Sequence, residues 1–140
     1  MIAKRKVFLI LICLPILGCS SADNSTKKQA ANQKPVTLSQ ADSGGKFDLA
    51  TGQSLEIELA ENPTTGYRWQ IAASDSSILK LSSREYLQTE AEPGKVGVGG
   101  VATFKFEAAG KGSTELQMIY VRATAATDTA DQFRAAIEVK

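Results

Sequence analysis

Histidine is absent from the 140 residues, and the two cysteines, Cys13 and Cys19, both fall within the first 19 positions. The remainder of the chain therefore has no disulfide framework, no cysteine or histidine metal site, no thiol nucleophile and no imidazole base. A long apolar run is lacking too. Residues 7–17 form an apolar stretch of eleven, including Cys13 and Pro15, short of the roughly 20 needed to cross a bilayer as a permanent helix. Basic surplus is also missing. The first 34 residues hold six of the 16 Lys and Arg, leaving 10 basic against 14 acidic residues from position 35 onward. A net charge of about −4 there leaves no basic surface for nucleic acid or anionic lipid.

The short apolar stretch has a layout of its own. Lys4, Arg5 and Lys6 precede it and Ile16-Leu17-Gly18-Cys19 ends it, the pattern of a bacterial export signal. This ending resembles the lipobox of bacterial lipoproteins, with small Gly18 before the cysteine, and implies cleavage after residue 18 and lipid on the Cys19 thiol. Cys13 follows Ile12 and does not fit. A plain secretory signal and an uncleaved anchor are the competing readings. Ser20 is not the aspartate that favours inner-membrane retention, so the expected location is the bacterial cell envelope, as an outer-membrane lipoprotein facing periplasm or surface. Residues 20–34, "SSADNSTKKQAANQK", hold no aliphatic side chain larger than alanine and no aromatic; too little surface can be buried there to order the chain, which predicts a flexible tether. The domains expected are a signal peptide over 1–18, Cys19 and a tether over 19–34, and one folded domain over 35–140.

Within that domain apolar residues recur at every second position. Leu55, Ile57 and Leu59 alternate with Glu56 and Glu58, and Tyr67, Trp69 and Ile71 with Arg68 and Gln70. Ala102, Phe104 and Phe106 repeat the pattern, as do Leu116, Met118 and Tyr120, then Phe133, Ala135, Ile137 and Val139. Residues 78–88 read as extended and bent near Ser82 and Ser83, and a first strand is expected around Lys46 to Leu49, with Val36 to Leu38 before it. A period of two with Gly, Pro, Asn, Asp and Ser at the breaks predicts strands with one dry face. About seven of them in so short a domain predict an all-β, immunoglobulin-like antiparallel β-sandwich, a small barrel being the alternative.

Alternating strand directions bring three connections to one end of such a sandwich: residues 60–66, 89–100 and 122–132. In the first, "NPTTGY" sets Pro63, with fixed φ, after an extended Asn62, adds two side chains stiff at χ1, Thr64 and Thr65, and ends on Gly66, free to take positive φ. Such a loop has little entropy to lose on insertion into a cleft; its competing role is a well-made corner leading into Tyr67 and Trp69. In the second, Gly97, Gly99 and Gly100 around Val98 allow close backbone approach to another surface, or simple flexibility. A phosphate loop is excluded, since no Gly-Lys-Ser/Thr ending follows. The third, "RATAATDTADQ", is predicted to be a long polar loop with Arg122 at its start. No pair of Asp or Glu residues is set apart as an acid/base couple, which argues against an enzyme, and Trp69 is assigned to the core.

Taken in order, "NPTTGY" with a Trp two positions on, then "GVGG", then a loop opening on Arg after a strand ending in Tyr, resemble the chagasin-type inhibitors of papain-like cysteine peptidases. The resemblance runs from about Val36 to the C-terminus. It implies three same-end loops acting as a reversible, competitive plug of the peptidase cleft, without a cofactor or metal, on a single domain working as a monomer. Asn62, Pro63, Thr64, Thr65, Gly66 and Tyr67 would enter the centre, Gly97, Val98, Gly99 and Gly100 would line one wall, and Arg122 would open the third contact. The family's third motif is Arg-Pro-Trp or a close variant; here it is Arg122-Ala123-Thr124, which keeps the cation and lacks both ring and aromatic anchor. Truncating a buried aromatic commonly costs about 2 kcal/mol or more, so affinity is expected to fall roughly 10- to 100-fold relative to a full motif, or the target preference to differ. The rival function is an envelope binding or adhesion module that uses the same loop end without inhibiting a peptidase.

Overall fold

The structure is a computed structural model that describes residues 33–90, 93–94 and 96–140, with backbone alone at 125 and 126. The expected signal peptide, the lipidation site Cys19 and the tether up to residue 32 lie outside the described residues.

Eight strands form: β1 (Val36–Ser39), β2 (Gly45–Leu49), β3 (Ser54–Glu61), β4 (Tyr67–Ala73), β5 (Leu79–Gln88), β6 (Gly100–Ala108), β7 (Gly112–Arg122) and β8 (Ala125–Val139). They make two four-stranded sheets, ordered β1-β3-β6-β5 and β2-β8-β7-β4. The alternation places Leu55, Ile57, Leu59, Phe104, Phe106, Leu116, Met118, Phe133 and Ile137 between the sheets, each at most 2% exposed. Full burial of such side chains contributes about 1.5–3 kcal/mol apiece, which makes this two-sheet core the source of the fold. The sandwich is the one the sequence predicts; two separate sheets exclude the barrel.

Two differences have local causes. The first predicted strand is divided. A single 3₁₀ turn, Gln40–Asp42, and Gly44 at φ 86° carry the chain from one sheet to the other, so β1 and β2 edge different sheets, running parallel to β3 and β8 respectively. Each half alternates on its own, Val36 and Leu38 inward in β1 and Phe47 and Leu49 in β2, but a period of two does not say which sheet a strand joins. The second difference is the predicted loop over 122–132. A tight turn at Ala123 and Thr124 is all that separates β7 from β8, and residues 125–132 are strand, with bulges near Val121. The bend expected near Ser82 and Ser83 is present as an irregularity in β5 pairing between Leu81 and Ser83.

Among the described residues one charged side chain is buried. Glu61, 3% exposed, ends β3. Arg84 Nη2 on β5 donates to its Oε1 at 2.7 Å and Oε2 at 2.8 Å, and the Trp69 backbone N–H on β4 donates to Oε2 at 2.9 Å. The carboxylate thus ties one sheet to the other at the end where the chain leaves β3. Removing one partner of a buried pair leaves an uncompensated charge and costs roughly 3–5 kcal/mol; Arg84 is one-third exposed, so water offsets part of this. Arg84→Met should lose about 2–3 kcal/mol in urea unfolding, and Glu61→Gln on that background should recover most of it.

Candidate functional site

The three connections meet at one end of the sandwich, and backbone pairing explains why. Glu61 lies opposite Gly100 and Gly100 opposite Gln88, while Tyr67 lies opposite Arg122. All of Asn62, Pro63, Thr64, Thr65, Gly66, Tyr67, Gly97, Val98, Gly99, Gly100 and Arg122 are gathered there.

The first loop is a capped 3₁₀ turn, Pro63–Thr65. Asn62 Oδ1 accepts from the Thr64 N–H at 3.2 Å and from Thr64 Oγ1 at 2.6 Å, and the Asn62 carbonyl accepts from Thr65 Oγ1 at 2.7 Å. Gly66 closes the turn at φ 83°, its N–H donating to the Pro63 carbonyl at 3.0 Å. Both threonine hydroxyls are therefore committed inside the loop, with Thr64, Thr65 and Gly66 at the exposed tip.

Neighbouring segments hold this turn on both sides. Asn62 Nδ2 donates to the Gly97 carbonyl at 3.0 Å, linking the first loop to the second. The Ala123 N–H donates to the Gly66 carbonyl at 3.1 Å, linking the first to the third. Beneath, Tyr120 Oη accepts from the Asn62 N–H at 2.9 Å, and the Tyr120 ring stacks on Trp69 with centroids 5.1 Å apart. Trp69, 5% exposed, is a core residue as expected, with Nε1 donating to the Ala60 carbonyl at 2.9 Å.

In the second loop the glycines divide by role. A Cβ on Gly100 would fall 2.2 Å from the Leu87 carbonyl oxygen, and one on Gly99 3.0 Å from that of Glu61. Their close backbone approach is to the protein's own strands. Gly97, exposed and at φ 77°, instead turns its carbonyl to Asn62 Nδ2.

Arg122 does not stand free. Its guanidinium lies 4.9 Å from the Tyr67 ring centroid, and its Nε is 3.8 Å from Asp128 Oδ2. Tyr67 donates its hydroxyl to the same oxygen at 2.6 Å. That hydrogen bond to the Asp128 carboxylate raises the Tyr67 pKa above its ordinary value. Sequence reasoning missed Glu61, Arg84, Tyr120 and Asp128 as parts of the site. A signal existed for Glu61, two positions beyond Leu59 in the inward-facing series; none existed for Asp128, whose place depends on strand pairing across a segment read as loop.

Asn62 is thus the hub of the loop. Asn62→Ala should lower stability by about 1–2 kcal/mol, the usual loss for removing a cap. Hydrogen exchange should accelerate at Thr64 and Gly66 while amides in β6 and β7 stay protected; unchanged exchange at Thr64 would show that the cap does not hold the turn.

Comparison with known proteins agrees with this geometry. The family model for the chagasin family of peptidase inhibitors, I42, matches residues 48–139. Amoebiasin-1 of Entamoeba histolytica is 30% identical over 87 residues, 62% of this chain and 82% of that protein. The crystal structure of the cysteine protease inhibitor EhICP2, also from Entamoeba histolytica, superposes with a TM-score of 0.69 at 18% identity, covering 76% of this chain and 96% of that one. The structure of PbICP-C in complex with falcipain-2 gives a TM-score of 0.55 at 15% identity over 76% and 90%. These two structures establish the fold, and the family model with the sequence relative establishes the kinship: the chain belongs to the chagasin family of peptidase inhibitors, which are not enzymes.

Proposed function

We propose that the protein is a reversible, competitive inhibitor of papain-like cysteine peptidases, with the three gathered loops plugging the active-site cleft. The observation that carries this is the Asn62-centred turn, locked to Gly97 on one side and to Ala123 on the other. A papain-like enzyme attacks the carbonyl of an extended peptide with its thiolate. The Pro63–Thr65 segment is instead a closed turn, and its first carbonyl already accepts the Gly66 N–H. Such a tip can fill the site while withholding a bond from attack geometry. Its order before binding limits the entropy lost on binding. PbICP-C, a fold neighbour, was solved bound to falcipain-2.

The same geometry suits a lipid on Cys19. The Lys34 carbonyl accepts from Gln53 Nε2 at 2.9 Å and Val36 lies beside Leu55, so the chain enters at the pole opposite the loops. An anchor upstream of it therefore joins the domain at the pole that leaves the loop end uncovered.

Titration of papain and a cathepsin L-like enzyme should show inhibition relieved by excess substrate and by dilution; no inhibition of either at micromolar concentration would leave the binding-module function instead. Thr64→Ala with Thr65→Ala should weaken inhibition by about 10- to 100-fold, equivalent to 1.4–2.8 kcal/mol, with the fold intact by circular dichroism. Thr124→Trp should tighten it by about tenfold by restoring an aromatic anchor. Adding Ala123→Pro should give no further gain, because proline cannot make the N–H bond to Gly66. Cys19→Ser should move the protein from the membrane to the soluble fraction with inhibition unchanged.

A further inference from the structure

The outward face of the β1-β3-β6-β5 sheet changes character at one row. Most of it is charged or polar: Glu56, Lys105 and Ser83 lie side by side, as do Glu58, Thr103 and Glu85. Lys105 bridges to Glu56 at 3.9 Å and to Glu85 at 3.6 Å. The last row before the loops is Ala60, Val101 and Leu87, one residue from each of β3, β6 and β5. It carries no polar side chain. Leu87 is 77% exposed and Val101 38%.

Isolated exposed apolar residues need no explanation. This row is different in being contiguous across three strands and in its position. Val101 follows Gly100 and Leu87 precedes Gln88, so the row lies about 3–7 Å from the strand ends at a rise near 3.3 Å per residue. Val96, 96% exposed, is a further apolar side chain of the second loop. The row is one residue from Gly100, whose backbone pairs with Glu61 and Gln88, and so borders the Gly97–Gly100 side of the loop end.

We infer that Leu87 and Val101 form an additional contact with the target peptidase, packing against an apolar rim of its cleft on the Gly97–Gly100 side. This rests on the inhibitor function proposed above and assigns to it two residues outside the three loops. It also supplies a source of binding energy to a chain whose third loop has no aromatic side chain.

The test is inhibition of papain and a cathepsin L-like enzyme by the full-length protein and by Leu87→Thr, Val101→Thr and the double variant. Threonine keeps strand propensity, and neither side chain enters the core. Leu87→Thr should weaken inhibition about tenfold and the double variant about 30-fold or more, chiefly through faster dissociation, with melting temperatures unchanged. Wild-type inhibition matched by all three variants would overturn the contact and leave the inhibitor function standing. Wild-type dimers that the double variant dissolves, with inhibition unaltered, would also overturn it and assign the row to a second copy of this chain. Failure of the wild type itself to inhibit either enzyme would overturn both together.

Discussion

A carboxylate buried at the end of a strand is costly unless every oxygen finds a donor, and the loop end of this protein is organised around meeting that requirement at Glu61. Desolvating such a group costs several kcal/mol, which the Arg84 guanidinium and the Trp69 N–H offset. The two donors come from different sheets. Ala60, the neighbouring residue, takes the indole N–H of the same tryptophan. The first loop is therefore fixed where it leaves β3 and again just inside β4, at Trp69. Trp69 in turn stacks on Tyr120, whose hydroxyl receives the Asn62 N–H. These contacts close a circuit under the loop, so the position of its tip is set by the core.

Preorganisation has a chemical consequence at the tip. Asn62 takes up the hydroxyls of Thr64 and Thr65 through its amide oxygen and its carbonyl, so the exposed tip has its side-chain donors satisfied within the turn. On the function proposed above, a peptidase meeting this tip would encounter a compact, already satisfied turn. Binding would then depend on shape and on backbone groups, a mode that calls for no imidazole or thiol from the inhibitor.

Much of the fold was legible because a period of two survives folding wherever one face is dry. Phe104 and Phe106, or Leu116 and Met118, could be assigned inward from sequence and are at most 2% exposed. The pattern fails where both faces are wet. Residues 125–132 of β8 include Thr127, Asp128, Thr129 and Asp131, with no large apolar side chain, yet they pair with β7 through the backbone. Their threonines were the available hint. The site was legible in part for the same reason. "NPTTGY" announces a stiff turn through its own backbone chemistry, whereas the Tyr67–Asp128 bond depends on a register that no local pattern encodes.

The third loop shows how one kind of rigidity can replace another. A proline after Arg122 would stiffen the turn through its ring, but it has no N–H to give. Ala123 gives one, and the Gly66 carbonyl receives it. Arg122 meanwhile lies over Tyr67, and Asp128 holds both its cation and the Tyr67 hydroxyl. Order at this corner therefore comes from contacts between loops instead of from a constrained residue within one. Such contacts couple the third loop to the first, so a partner that shifts Arg122 must also disturb Tyr67, the residue on which the central turn leaves for the core.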